Sequence, residues 1–212
     1  MHVIIATHNK HKIGEIGDVI KGPQINVSSL LDHEVKLPPE TGTTFVGNAR
    51  IKALAVYNAL REVRSAERST PYDTWVLADD SGLAVDVLNG QPGVYSSRYS
   101  GEPVDYDRNN RKLLQELKCV PFEKRTACFI CSMILIDPAG KEYEIEGRVN
   151  GFIVEKGSEG TEGFGYDPVF YLSEYKRTIA EMPLSEKNKI SHRGLAAKKA
   201  LEILVEFLDK RR

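Results

Sequence analysis

Apolar residues fall along this chain in two rhythms, and the switches between them mark its elements. Val3, Ile4 and Ile5 make a short apolar run of the kind that forms a buried strand. After the polar stretch Thr7-His8-Asn9-Lys10-His11-Lys12, residues Ile13, Ile16 and Ile20 recur at helical spacing. The pattern predicts strand, polar turn and helix. A second short strand is expected around Ile25–Val27, then a polar loop ending in Pro38-Pro39-Glu40-Thr41-Gly42. Phe45, Ala49, Ala53, Val56, Leu60 and Val63 share one helical face, which predicts a long helix over Thr43–Arg64 capped by Thr43 or Thr44. A charged, loop-like connection follows over Ser65–Asp73.

Trp75, Val76, Leu77 and Ala78 form the next buried strand, and Asp79 and Asp80 stand where it would end. Ser81 and Gly82 are expected to turn the chain into another strand, in which Leu83, Val85 and Val87 alternate with Ala84 and Asp86. Successive side chains of a strand point to opposite faces, so only one of the two acids can look into a given site while the other braces the turn behind it. Asp105 reads as the cap of a helix over Asn109–Lys118. Arg125–Ile136 and Lys141–Val149 are β-rich runs joined by Asp137-Pro138-Ala139-Gly140, an antiparallel hairpin, and Gly151–Lys156 extends the sheet. Ser191 reads as the cap of a last helix with Ala197, Leu201, Leu204, Val205 and Leu208 on one face. Strands alternating with helices, plus a hairpin, predict an α/β fold with a mixed, curved central β-sheet and flanking helices.

Composition narrows the class. Its 212 residues suffice for a single domain with a full core, and 29 basic against 30 acidic residues disfavour a broad surface for a nucleic acid polymer or a membrane, though not a local phosphate pocket. No signal-like or membrane-length apolar run is present, so a cytoplasmic protein is expected. Cys119, Cys128 and Cys131 are an odd number and fit a reducing compartment. Cys128-x-x-Cys131 has no partner pair at zinc-ligand spacing and lies in a strand-like run, so core packing accounts for it.

Three stretches carry chemistry. A helix start leaves backbone N–H groups unpaired and bears partial positive charge, so Thr7–Lys12 can cradle phosphate; Asn9 can equally serve only as the helix cap. In Phe164-Gly165-Tyr166-Asp167-Pro168, an aromatic ring beside glycine offers a flat face to a base, and Asp167 can accept hydrogen bonds. His192 and Arg193 open the last helix and can add donors there.

ADDSGL followed by VDVLNGQPGVYSSRYSG resembles the signature of the inosine/xanthosine triphosphate pyrophosphatases, house-cleaning enzymes of the nucleotide pool. GFGYDPVF and EKN-x-ISHRG resemble that family's base-binding loop and its nucleobase and phosphate clamp, and Thr7–Lys12 its phosphate motif, with His8 where many members have a small residue. The resemblance implies two lobes around a nucleotide-binding cleft and hydrolysis of ITP, dITP and XTP to the monophosphate and pyrophosphate. It also implies Mg2+ held by Asp80 and Glu40, Asp80 as general base, Asp79 structural or outside the metal's ligands, and a homodimer. Substrate contacts are expected from Thr7, His8, Asn9, Lys10, His11, Lys12, Lys52, Ser81, Phe164, Gly165, Tyr166, Asp167, Lys187, His192 and Arg193. A module that binds a purine triphosphate without cleaving it, and a phosphatase acting at the terminal phosphate, are the competing readings. Two carboxylates beside an anionic ligand disfavour the first.

Overall fold

Short apolar runs buried on both faces explain how the first part of the chain folds. The structure, a computed structural model, describes residues 1–67, 73–160 and 162–210, without the side chains of residues 63–67. The chain divides into two compact units, one made of Met1–Asp80, Cys131–Gly147 and Arg193–Arg212, the other of Ser81–Ile130 and Arg148–His192. The described strands follow the sheet order β2-β1-β3-β4-β5-β6-β7.

In the first unit, β1 (His2–Ile5) pairs in parallel with both β2 (Asn26–Ser29) and β3 (Thr74–Val85). Val3, Ile5, Trp75, Leu77, Met133 and Leu135 pack on one face with Ile16 and Ile20 of α1 (Lys10–Ile20) and Ala197 and Leu204 of α5 (His192–Asp209). Ile4, Ala6, Val76, Ala78, Ile134 and Ile136 pack on the other with Ala49, Ala53, Val56 and Leu60 of α2 (Phe45–Glu67). Burial on both faces is what near-continuous apolar runs in parallel strands produce. The Thr44 hydroxyl accepts the Gly47 N–H at 3.1 Å, which makes Thr44 the cap of α2. That helix reaches Glu67, past the expected Arg64. Val63 lies outside the described side chains, and residues 68–72 of the expected Ser65–Asp73 connection lie outside the described residues.

The expected turn at Ser81-Gly82 is absent: β3 runs through both residues to Val85, and Val87 sits in a short 3-10 helix instead of a second strand. Partners on each face neutralise the two acids, so the strand has no reason to stop at them. β4 (Thr126–Ile136) and β5 (Glu142–Ile153) are joined by a tight turn in which Gly140 N–H donates to Asp137 C=O and Asp137 N–H to Lys141 C=O, both at 3.0 Å. Cys131 of β4 is buried, Cys128 half-buried and Cys119 exposed.

In the second unit, Leu83, Val85, Leu113, Leu117, Phe129, Ile153, Tyr166 and Phe170 share a core. Asp105 caps α3 (Tyr106–Glu116) by accepting the Arg108 N–H at 2.9 Å. β6 (Phe170–Leu172) and β7 (Arg177–Thr178) are antiparallel and too short to have left an apolar rhythm in the sequence. α4 (Leu184–Ile190) ends at Ser191, an extended residue directly before α5 and so at the expected cap position. No helix among the described residues is long and apolar enough to cross a membrane.

Candidate active site

The two-residue period of β3 decides what its adjacent acids can do. Asp79 continues the face of Trp75 and Leu77, toward α1 and α5, and Asp80 continues the face of Val76 and Ala78, toward α2. Asp79 Oδ2 lies 2.9 Å from Lys12 Nζ and 3.6 Å from Arg193 Nε. Arg193 Nη1 is also ion-paired to Glu15 of α1, one turn after Lys12. On the opposite face Asp80 Oδ2 accepts from Asn48 Nδ2 at 3.0 Å, while the Asn48 carbonyl accepts Gly42 N–H at 2.8 Å and so ties down the loop that carries Glu40. Lys52 Nζ sits 2.5 Å from Glu40 Oε1 and 4.0 Å from Asp80 Oδ1. Asn48 and Lys52 are one helical turn apart, which puts both on the buried face of α2.

These surroundings pull the two carboxyls apart. Burial alone would raise Asp79, but Lys12, Arg193 and Lys52 outweigh it and hold this carboxyl well below the usual range. Asp80 moves the other way: burial raises it, Lys52 opposes, and repulsion from Glu40 adds to the rise, with Lys12 acting as a further opposing charge. Lys52 would lose its proton more easily through burial, yet Asp79, Asp80 and Glu40 raise its pKa and keep it an ammonium. Adjacent acids driven in opposite directions take different roles. Asp79 is held as an anion among cations, and Asp80 keeps a proton more readily than an ordinary carboxyl.

Of the Thr7–Lys12 stretch, Thr7 is buried with its hydroxyl accepting Asn9 N–H at 3.2 Å, and His8, Lys10 and His11 are exposed. Asn9 is the cap of α1, accepting the N–H groups of His11 at 3.0 Å and Lys12 at 3.4 Å. Those two donors are thus engaged in the structure. Glu15 was not singled out by the sequence pattern, although its i+3 spacing from Lys12 on a helix places both on one face.

In the second unit, Asp167 Oδ2 accepts Lys187 Nζ at 2.7 Å and Phe164 N–H at 2.9 Å, with both charged side chains buried. Lys187 Nζ lies 5.6 Å from the centre of the Phe164 ring. Gly163 (φ +82°) allows this: a Cβ there would overlap the Asp167 carboxylate and come within 2.8 Å of Lys187 Nζ. Tyr166, expected to contact substrate, packs in the core with its hydroxyl donating to Ser96 C=O at 2.9 Å, directly after Gly165 (φ +69°). His192 is buried with its ring stacked on Phe129 at 4.6 Å and 10°. Ser81, within β3, is half-buried. Among the described residues no group of three or more His, Cys, Asp or Glu side chains could hold a metal; Glu40 and Asp80 both lie beside the Lys52 ammonium.

Residues 3–203 match the Ham1 family. The chain is 45% identical over 206 residues to the dITP/XTP pyrophosphatase of Clostridium perfringens, covering 97% of this chain and 98% of that protein. It is 44% identical over 207 residues to the dITP/XTP pyrophosphatase of Geobacter sulfurreducens, covering 97% and 96%. Among solved structures it is similar to a HAM1 protein from Coxiella burnetii, with a TM-score of 0.80, 34% identity and coverage of 97% and 99%. The Staphylococcus aureus Ham1 protein superposes with a TM-score of 0.79 at 33% identity over the full length of both chains.

Proposed function

Because the chain belongs to the Ham1 family, we propose that it is a nucleoside triphosphate pyrophosphatase that hydrolyses ITP, dITP and XTP to the nucleoside monophosphate and pyrophosphate. The observation that carries the mechanism is the splitting of the acid pair by β3, which leaves Asp80, and not Asp79, beside Glu40 with a raised pKa.

Asp80 takes the proton of the water that attacks the α-phosphorus, a role that favours a carboxyl nearer to neutrality than usual. Lys12 and Lys52 balance phosphate charge, and Asp79 with Glu15 keeps Lys12 and Arg193 in place. Lys12, Lys52 and Arg193 carry three positive charges against the four negative charges of Glu15, Glu40, Asp79 and Asp80, a surplus of one negative charge facing a polyanionic substrate. That deficit and the purely oxygen donor pair fit Mg2+, which commonly takes one or two protein carboxylates and leaves its other positions to water and phosphate oxygens. When bound by Glu40 and Asp80, Mg2+ would neutralise phosphate charge and acidify a coordinated water. The base is read in the second unit, where Phe164 offers a ring face and the Asp167–Lys187 pair offers an acceptor and a donor to a 6-oxopurine.

The test is kcat/KM for ITP, XTP, GTP and ATP with magnesium, combined with product analysis. ITP and XTP should be cleaved far better than ATP and GTP, with pyrophosphate released. Comparable values for ITP and GTP would refute selectivity, and orthophosphate as the first product would refute α-phosphorus attack. Sedimentation in solution tests the proposed homodimer, which a monomer at working concentration would exclude.

A further inference from the structure

The base loop is held from one side by a residue that packing alone does not explain. Asn110 lies on α3 at 9% exposure, and its Nδ2 donates to the carbonyl of Gly165 at 3.0 Å. Gly165 stands between Phe164, whose ring offers a face to a base, and Tyr166, which is anchored to Ser96. Its positive φ gives the loop a conformation that one peptide rotation would lose. Tyr106, one turn before Asn110 on α3, brings its ring to 5.9 Å from that of Phe164 at 57°. Next to them, Asn109 donates from Nδ2 to Ser97 C=O at 2.8 Å and accepts the Ser100 N–H at 2.7 Å.

The two neighbouring asparagines differ in one respect. Both ends of the Asn109 amide are hydrogen-bonded, whereas the buried Oδ1 of Asn110 accepts no hydrogen bond from any described residue. Burying an acceptor without a donor is unfavourable, and a leucine would fill the same volume without that cost. What the amide alone supplies is the bond to Gly165.

We propose that Asn110 is a positioning residue for base recognition: by fixing the Gly165 carbonyl it sets the angle at which the Phe164 ring meets a purine. This rests on the reading of Phe164–Asp167 as the base loop. A residue in this role acts on base affinity and base choice, and leaves the chemistry at phosphorus alone. A merely structural role would lower stability and scale the activity on all substrates together.

The test uses full-length Asn110→Leu, which keeps the packed volume and removes the donor, with Asn110→Ser as a second variant should the first fail to fold. Steady-state kinetics on ITP and ATP and thermal unfolding are measured for each against the unsubstituted protein. The expected result is a rise of about 10-fold in KM for ITP, kcat within about twofold, and a fall in the ITP-to-ATP ratio of kcat/KM, in the range that loss of one hydrogen bond allows. An unchanged ratio and unchanged KM in a folded variant overturn the proposal alone. An equal loss on both substrates that follows lowered stability also overturns it, by making Asn110 structural. If the unsubstituted protein itself fails to prefer ITP over ATP, the base-loop reading falls, and the proposal with it.

Discussion

Substituting the two adjacent acids one at a time should give opposite stability effects. Asp79 is fully buried and stands 2.9 Å from Lys12 Nζ and 3.6 Å from Arg193 Nε. Asp79→Asn keeps the shape but leaves two cations facing a neutral amide; breaking a buried pair costs about 3–5 kcal/mol. Glu15 still holds Arg193, so the lower end of that range applies, about 3 kcal/mol. For a chain of this length that lowers Tm by roughly 6–12 °C. Asp80→Asn removes a carboxyl that burial makes costly to ionise, while Lys52 keeps Glu40 at 2.5 Å. Its Tm should stay level or rise, and kcat should fall by a factor of about 100 or more, as loss of a general base does. Linkage gives a second check. The Asp79 pKa is lower folded than unfolded, so its contribution is present at neutral pH and lost as pH falls below the ordinary carboxylate range. Asp80 is shifted upward, so its ionisation subtracts stability at neutral pH, and this is regained on acidification through its folded pKa. Thermal unfolding in chelator from neutral pH down to well below the ordinary carboxylate range, beside initial rates with magnesium near neutrality, reads both effects. Retained turnover in Asp80→Asn would refute the assignment of the base. A folded, stable Asp79→Asn that is the less active of the two would reverse the roles.

Lys12→Ala should weaken triphosphate binding, seen as a raised KM for ITP and GTP alike; a large change in the ITP-to-GTP ratio with little change in efficiency would argue against a phosphate role. Gly163→Ala should separate Phe164 from the Asp167–Lys187 pair, because φ is +82° and the new methyl meets both side chains, and kcat/KM for ITP should fall at least 10-fold; near-normal kinetics would show that the loop has other ways to close. Chelation should abolish hydrolysis and magnesium restore it, so activity that survives excess chelator would exclude the Glu40–Asp80 metal site.

Local pattern was enough for the elements that bury a continuous apolar face. The Ile13-Ile16-Ile20 helix, the α2 face and the paired buried strands follow from periodicity, because burial acts on each position through its immediate neighbours. The Ser81-Gly82 turn failed since two adjacent carboxylates argue for a strand end only when nothing neutralises them. Here Lys12, Arg193, Asn48 and Lys52 do so from positions 28 to 114 residues away, which no local window contains. The convergence of Glu40 with Lys52 could be anticipated from the start of α2. The burial of Tyr166 could not, because an aromatic beside glycine suits a binding surface and a core equally, and the acceptor that decided the matter, Ser96, lies 70 residues earlier. Asn110 sits among the polar residues of an exposed-looking helix and carries no sequence signal of its own.

The three thiols, arranged by depth, make a clock for the opening of the sheet. Thiolate is the species that alkylating reagents attack, and the Cys131 thiol is pushed up by burial and by the nearby Asp79 charge, so in the closed strand it is both covered and protonated. Cys119 should label on mixing, Cys128 more slowly, and Cys131 only in those moments when β4 comes away from its neighbours. Its labelling rate, divided by that of an unstructured thiol, then measures the equilibrium constant for that opening under native conditions. Followed in the presence and absence of nucleotide, one cysteine would report how tightly ligand binding clamps the strand beside Asp79.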